Sequence, residues 1–154
     1  VQNLVWASTP DSALWLVRPS PAGAPLQVFL WAKGSATPSA LPLVLQRKST
    51  PTHIDWPVSV IQSAKGTIYW PQPSSGQGIN LMGLTSQTSS QQVVASLSDL
   101  KGLELISTRA ESVFAIGETY HGECKLVAIH PNGTVDIIVP PTNALLSLLN
   151  LVGY

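Results

Sequence analysis

Apolar residues fall in runs of four to eight along this chain, separated by clusters of Pro, Gly and Ser. That spacing predicts short strands rather than helices. The first runs are Asn3–Ala7 and Ala13–Arg18, the second stopped by Pro19-Ser20-Pro21-Ala22-Gly23. In Leu26–Ala32, Leu26, Val28 and Leu30 alternate with Gln27, Phe29 and Trp31. Both faces of that strand are apolar, which suits a central position in a packed sheet. Leu43–Gln46 follows a loop, and Val58–Gln62 and Thr67–Trp70 read as a hairpin about Lys65-Gly66. Pro71–Gly78 holds only Pro, Gln, Ser and Gly. With no apolar side chain to anchor it, this loop is expected at the surface. Ile79–Leu84 is a further strand.

The period changes once. Val93, Val94, Leu97 and Leu100 fall at helical spacing. Ser89 with Gln92 three residues on fits a capping box, and Gly102 fits a stop. A short helix is therefore expected over about 90–100. Ser112–Gly117, Glu123–His130 and Thr134–Val139 are strands, the last two joined by Pro131-Asn132-Gly133. Asn-Gly between apolar runs is a strong hairpin signal, because both residues accept positive φ. Pro140-Pro141 is expected to end the sheet. Asn143–Val152 has the apolar content of a second helix, with an extended strand as the competing reading.

The expected class is mainly β, a β-sandwich, jelly roll or barrel with one or two short helices, in a single domain over 1–154. A propeller fragment is the alternative weighed against it. The segments near 13–31, 58–84 and 112–139 each resemble paired strands, but no residue recurs in register. Blades of ~40 residues would number fewer than four, too few to close a ring.

Composition narrows the functional classes. Only 10% of residues are charged, against ~25% in ordinary soluble domains, while 44% are hydrophobic. Eight basic residues balance eight acidic ones, with no basic cluster. That balance argues against nucleic acid, because phosphate binding needs Lys and Arg on one face. No segment is long and apolar enough for membrane insertion as a helix. The single cysteine, Cys124, forms no internal disulfide. The start at Val1, with no Met and no signal peptide, reads as a piece excised from a larger protein.

Catalytic signatures are missing: no Gly-x-Ser-x-Gly elbow, no His-Glu-x-x-His and no phosphate-binding Gly loop. His121 and Cys124 stand at i, i+3, two metal ligands where a closed zinc site needs four. Cys124 is expected to pack inward as a small hydrophobe. His53 and Asp55 share a strand face, but nothing fixes a serine or an oxyanion hole beside them. Asn132-Gly133-Thr134 is a glycosylation sequon that the hairpin turn already explains. Trp15 and Trp31 sit inside apolar strands as core candidates, whereas Trp56 and Trp70 each precede a Pro at a strand end. The expectation is a non-enzyme with no metal or cofactor.

Low charge, loops of Ser, Thr, Pro and Gln, a lone cysteine and the stretches Pro19–Pro25 and Pro71–Gly78 resemble the protruding domain of a non-enveloped RNA-virus capsid protein. The resemblance implies a spike at the virion surface, a homo-oligomer (dimer or trimer) within the capsid, and attachment to a host receptor or glycan. The alternative is an extracellular carbohydrate- or protein-binding β-domain of a cell-surface protein. In either case the candidate binding residues are Trp56, Trp70, Gln72, Ser74, Ser75 and Gln77.

Overall fold

The computed structural model describes residues 3–9, 11–17, 26–45, 60–85 and 90–143. Trp56, His53, Asp55, the loop 19–25 and the expected C-terminal helix lie outside the described residues. The chain is mainly β. The described residues form twelve strands, β1 (Asn3–Thr9), β2 (Ser12–Val17), β3 (Leu26–Ala32), β4 (Ser39–Leu45), β5 (Ile61–Gln62), β6 (Ile68–Pro73), β7 (Ile79–Leu84), β8 (Gln92–Leu97), β9 (Leu100–Arg109), β10 (Ser112–Thr119), β11 (Cys124–Ile129) and β12 (Val135–Thr142). They form three four-stranded antiparallel sheets, β1–β4, β5–β8 and β9–β12, each a simple meander.

The sheets are layered in chain order. Ile68, Trp70, Met82 and Leu84 of the middle sheet bury one face against Val28 of the first. Tyr69, Ile79, Leu81, Ala95 and Leu97 bury the other against Leu100, Leu105, Val113, Ala115, Val127 and Ile129 of the third. Alternation along β6 and β7 sends successive side chains to opposite neighbours, because strand side chains point to alternate faces. The opening strands of the sheets also adjoin one another, β1 against β5 and β5 against β9. Gln62, buried in β5, ties this inner edge together. Its Oε1 accepts from Ser12 Oγ at 2.8 Å, and its backbone carbonyl accepts from Thr108 Oγ1 at 3.4 Å. The sheets therefore fan outward from a shared edge of first strands.

Three local expectations change. Residues 92–97 are strand β8, not a helix. Val93 is 54% exposed, so it is no part of a helical core stripe, and Ala95 and Leu97 alternate inward against Leu81 and Ile79. The β-branched pair Val93-Val94 favours the extended form. Gly102 stops nothing; it lies inside β9, a strand the apolar pattern did not bring out, opposite Glu118. Pro140 and Pro141 do not end the sheet either, since β12 continues to Thr142. It is an edge strand, where a missing N–H costs no ladder bond.

The Asn132-Gly133 hairpin is present in a different form. Gly133 N–H donates to His130 O at 2.9 Å and His130 N–H to Thr134 O at 2.9 Å. Of the two turn residues only Gly133 has positive φ, at 84°. Pro131 takes the second position of a type I turn and Gly133 the left-handed position that follows. The connections Ser63–Thr67 and Thr119–Glu123 repeat this pair of bonds with a glycine at the same place. The three turns share one geometry but join different strand pairs of their sheets, β5–β6, β10–β11 and β11–β12.

Candidate functional site

Meander topology sends the β6–β7 and β10–β11 connections to one end of the sheets. The β5–β6, β9–β10 and β11–β12 turns go to the other. At the first end, the uncharged stretch before β7 is displayed over part of its length only, because Pro71, Gln72 and Pro73 extend β6 instead of joining the loop and pair with Leu81, Asn80 and Ile79. Gln72, Pro73, Ser75, Gly76 and Gln77 are exposed. Ser74 is half-buried, its N–H donating to Gly78 O at 3.0 Å while its Oγ accepts from Gly76 N–H at 3.4 Å.

Gly78 anchors this loop and is itself buried. Its φ is 107°, and a Cβ there would stand 2.5 Å from Leu97 O. Its N–H donates to Tyr120 Oη at 2.9 Å. Tyr120 comes from the β10–β11 connection and is 47% exposed. An aromatic ring therefore stands beside the polar loop, fixed by its own hydroxyl.

The ring is not the one expected. Trp70 is only 2% exposed, packed between the first and middle sheets with Ile68, Met82 and Leu84. It is a core residue and contributes nothing to a contact surface. Tyr120 escaped notice in the sequence because the two loops are neighbours only through sheet stacking.

His121 and Cys124 do not converge. His121 is exposed in the connection, and Cys124 is buried at 2% in β11. Burial pushes the Cys124 thiol up from its ordinary pKa; Glu118 adds to the shift, Lys101 opposes it, and Glu104 adds a smaller increment. A protonated, enclosed thiol is a packing group rather than a nucleophile. Among the described residues, no group of three or more His, Cys, Asp or Glu is placed to hold a metal ion.

The opposite end has its own chemistry. Ala110 and Glu111 form the two-residue β9–β10 turn with φ of 48° and 66°. Neither is glycine, so this left-handed turn is strained. Cross-sheet bonds hold it. Glu111 accepts from Ser63 Oγ at 2.7 Å and Lys65 N–H at 3.3 Å, and its backbone carbonyl accepts from Tyr69 Oη at 3.3 Å. Burial, then the Glu111 charge, raises the Tyr69 phenol, while a hydrogen bond with Thr67 opposes the shift. A cleft of about 390 Å³ opens here between Lys65, Thr67, Tyr69, Gln92, Glu111 and Pro131.

Beside that turn lies a serine–histidine–aspartate chain. Ser112 Oγ is 2.9 Å from His130 Nδ1, and His130 Nε2 is 2.9 Å from Asp136 Oδ2. It departs from a hydrolytic triad in two ways. The serine is on Nδ1 rather than Nε2, and the carboxylate is exposed at 71% where a triad buries it. The three residues join the start of β10, the end of β11 and β12, and act as a cross-strand staple. The hairpin held the clue to half of it, because the turn closed by His130 and Thr134 brings residues 130 and 136 alongside.

The loop end around Tyr120 combines an exposed aromatic ring and an uncharged loop with the ionisable groups His121 and Glu123 of the β10–β11 connection. Compared with known proteins, the chain matches no protein-family model, no curated protein and no solved structure.

Proposed function

We propose that this domain is a binding module, with its working surface at the β6–β7 and β10–β11 loop end. The observation that carries the reading is Tyr120, half-exposed and bonded through its hydroxyl to the N–H of Gly78, the last residue of the polar loop before β7. An aromatic face with neighbouring amides and hydroxyls suits an uncharged sugar: the ring stacks on C–H groups and the amides exchange hydrogen bonds with hydroxyls. No residue from Gln72, near the end of β6, to Gly78 is charged; the ionisable groups nearby are His121 and Glu123 in the β10–β11 connection. By the resemblance, the sugar would belong to a host glycan and the domain to a capsid spike at the virion surface. An extracellular cell-surface protein would use the same surface for the same chemistry. The reading assigns no catalytic residue, cofactor, nucleic acid or membrane insertion.

The test is a screen of neutral oligosaccharides, followed by saturation-transfer NMR on any that bind. Tyr120→Ala, and separately a Gly/Ser linker over residues 72–77, should each weaken binding about tenfold or more, a loss of ~1.4 kcal/mol. The linker should barely move the melting temperature, whereas Tyr120→Ala should also cost about 1–3 kcal/mol of stability, because the buried Gly78 N–H loses its acceptor. Competition between the soluble domain and virus particles for cells distinguishes the capsid source from the cell-surface one. Binding that survives both changes would refute the assignment of this surface.

A further inference from the structure

The β11–β12 turn carries a motif that the proposed binding surface leaves unused. Asn132-Gly133-Thr134 is the only Asn-x-Ser/Thr triplet in the sequence, since Asn3, Asn80, Asn143 and Asn150 have no hydroxyl two residues on. The turn presents the triplet unevenly. Gly133 is half-buried against the middle sheet, so close that a Cβ there would stand 2.7 Å from Val94 O. Asn132 and Thr134 on either side of it are exposed. Asn132 Oδ1 accepts from Thr134 N–H at 3.1 Å and from Thr134 Oγ1 at 2.7 Å. Asn132 Nδ2 has no hydrogen-bond partner among the described residues. The Asn–Thr contacts span two residues, so they are open to the chain before the sheets assemble, and the folded turn keeps them.

We propose that Asn132 carries an N-linked oligosaccharide. The co-reactant is an oligosaccharide linked to a lipid diphosphate in the secretory lumen, delivered by an oligosaccharyl transferase. A bond forms between Asn132 Nδ2 and the anomeric carbon of the first sugar. The bond from that carbon to the diphosphate oxygen breaks, one amide proton is released, and the lipid diphosphate leaves; nothing is oxidised or reduced. The fold accepts the product without losing a bond, because Oδ1 keeps both Thr134 donors while Nδ2 takes the sugar. The meander sends this turn to the end opposite the Tyr120 loops, so a glycan here leaves that surface uncovered. The lone cysteine does not oppose an oxidising compartment. Cys124 is buried and burial pushes its thiol pKa up, so it offers no reactive thiolate for mixed disulfides. The inference rests on the extracellular one of the two sources named above, not on a capsid made in the cytosol. It uses no residue of the Tyr120 surface, so either reading can fail without the other.

The test is expression of the 154-residue chain behind a cleavable secretory leader in eukaryotic cells. Intact mass is read on the secreted protein and on the lumenal protein still inside the cells, so export is not required. The expected product exceeds 16.4 kDa by one oligosaccharide. Peptide N-glycosidase should remove the excess and leave a carboxylate on the side chain of residue 132. Asn132→Gln and Thr134→Ala should each abolish the excess. Thr134→Ser keeps the hydroxyl and should keep the glycan. The thermal midpoint should be no lower with the glycan than in the same chain made in bacteria without it. Wild-type protein that has lost its leader in the lumen and still has a bare Asn132 overturns the proposal. So does an oligosaccharide that survives Asn132→Gln, or a glycan that lowers the midpoint, since the outer side of the turn would then not be free.

Discussion

The middle and third sheets have the same strand number and the same meander, yet they use their sequences differently. In the middle sheet, β6 buries three consecutive residues and β7 buries five of six. In the third, β10 alternates strictly between half-buried and buried over eight residues. The middle sheet is enclosed by a neighbour on each side, so both sets of side chains must be apolar. Among the described residues, the third sheet has such a neighbour on one side only. The contrast lies between individual strands and not between whole sheets, because β11 of the third sheet also buries five of its six residues.

The largest expected effect sets the two layers directly against each other. Leu81→Ala, at a fully buried position of β7, should cost about 2–5 kcal/mol through lost transfer energy and a cavity. Ile116→Ala, at a half-buried position on the outward face of β10, should cost less than half as much. Chemical denaturation of the two variants measures the gap. Equal losses would show that the outward face is as enclosed as the middle layer.

A smaller effect probes the junction of these sheets at its turn end. A Cβ on Gly133 would stand 2.7 Å from Val94 O, a backbone atom of the middle sheet. Gly133→Val combines that collision with a positive φ of 84°, and should cost on the order of 1–3 kcal/mol. The thermal midpoint reports it. An unchanged midpoint would mean that the third sheet meets the middle one without this close approach.

The smallest effect is alkaline. The Cys124 thiol and the Tyr69 phenol both have raised pKa values in the fold. The folded state therefore keeps these protons to higher pH than the unfolded chain does. Stability is fully present below the unfolded pKa of each group and is lost as pH rises through the folded one. The decline should begin in the ordinary thiol range with Cys124 and continue through the phenol range with Tyr69. Because Cys124 lies only in the third sheet while Tyr69 lies in the middle one, Cys124→Ala should remove the first part alone. Tyr69→Phe should remove the second alone. Urea midpoints across alkaline pH separate the contributions.

Much of the fold was legible along the chain because period-2 alternation is local. Leu26–Ala32 and Ile79–Leu84 have the bounds that the apolar runs indicate. The strand character of 92–97 was obscured because Val93, Val94, Leu97 and Leu100 fall at helical spacing by coincidence, with exposed Val93 on an edge strand. The candidate site was half legible. The exposed loop follows from its composition, since a segment without apolar groups gains nothing from burial. Its aromatic partner does not, because Trp70 and Tyr120 differ in exposure only through what packs on them.

The sequence by itself determined the β class, the low-charge surface, the exposed loop and the inward-packed cysteine. Those properties depend on residues within a few positions of one another. The tertiary structure alone decided that the twelve strands of the described residues divide into three layered meanders. It also decided that Trp70 serves the core while Tyr120 serves the loop, that Glu111 braces a strained turn, and that Ser112, His130 and Asp136 meet. Each of these rests on contacts between sheets, or between strands brought together by pairing, whose partners lie many residues apart. Such partners are selected by burial of whole faces, a quantity that no local pattern carries.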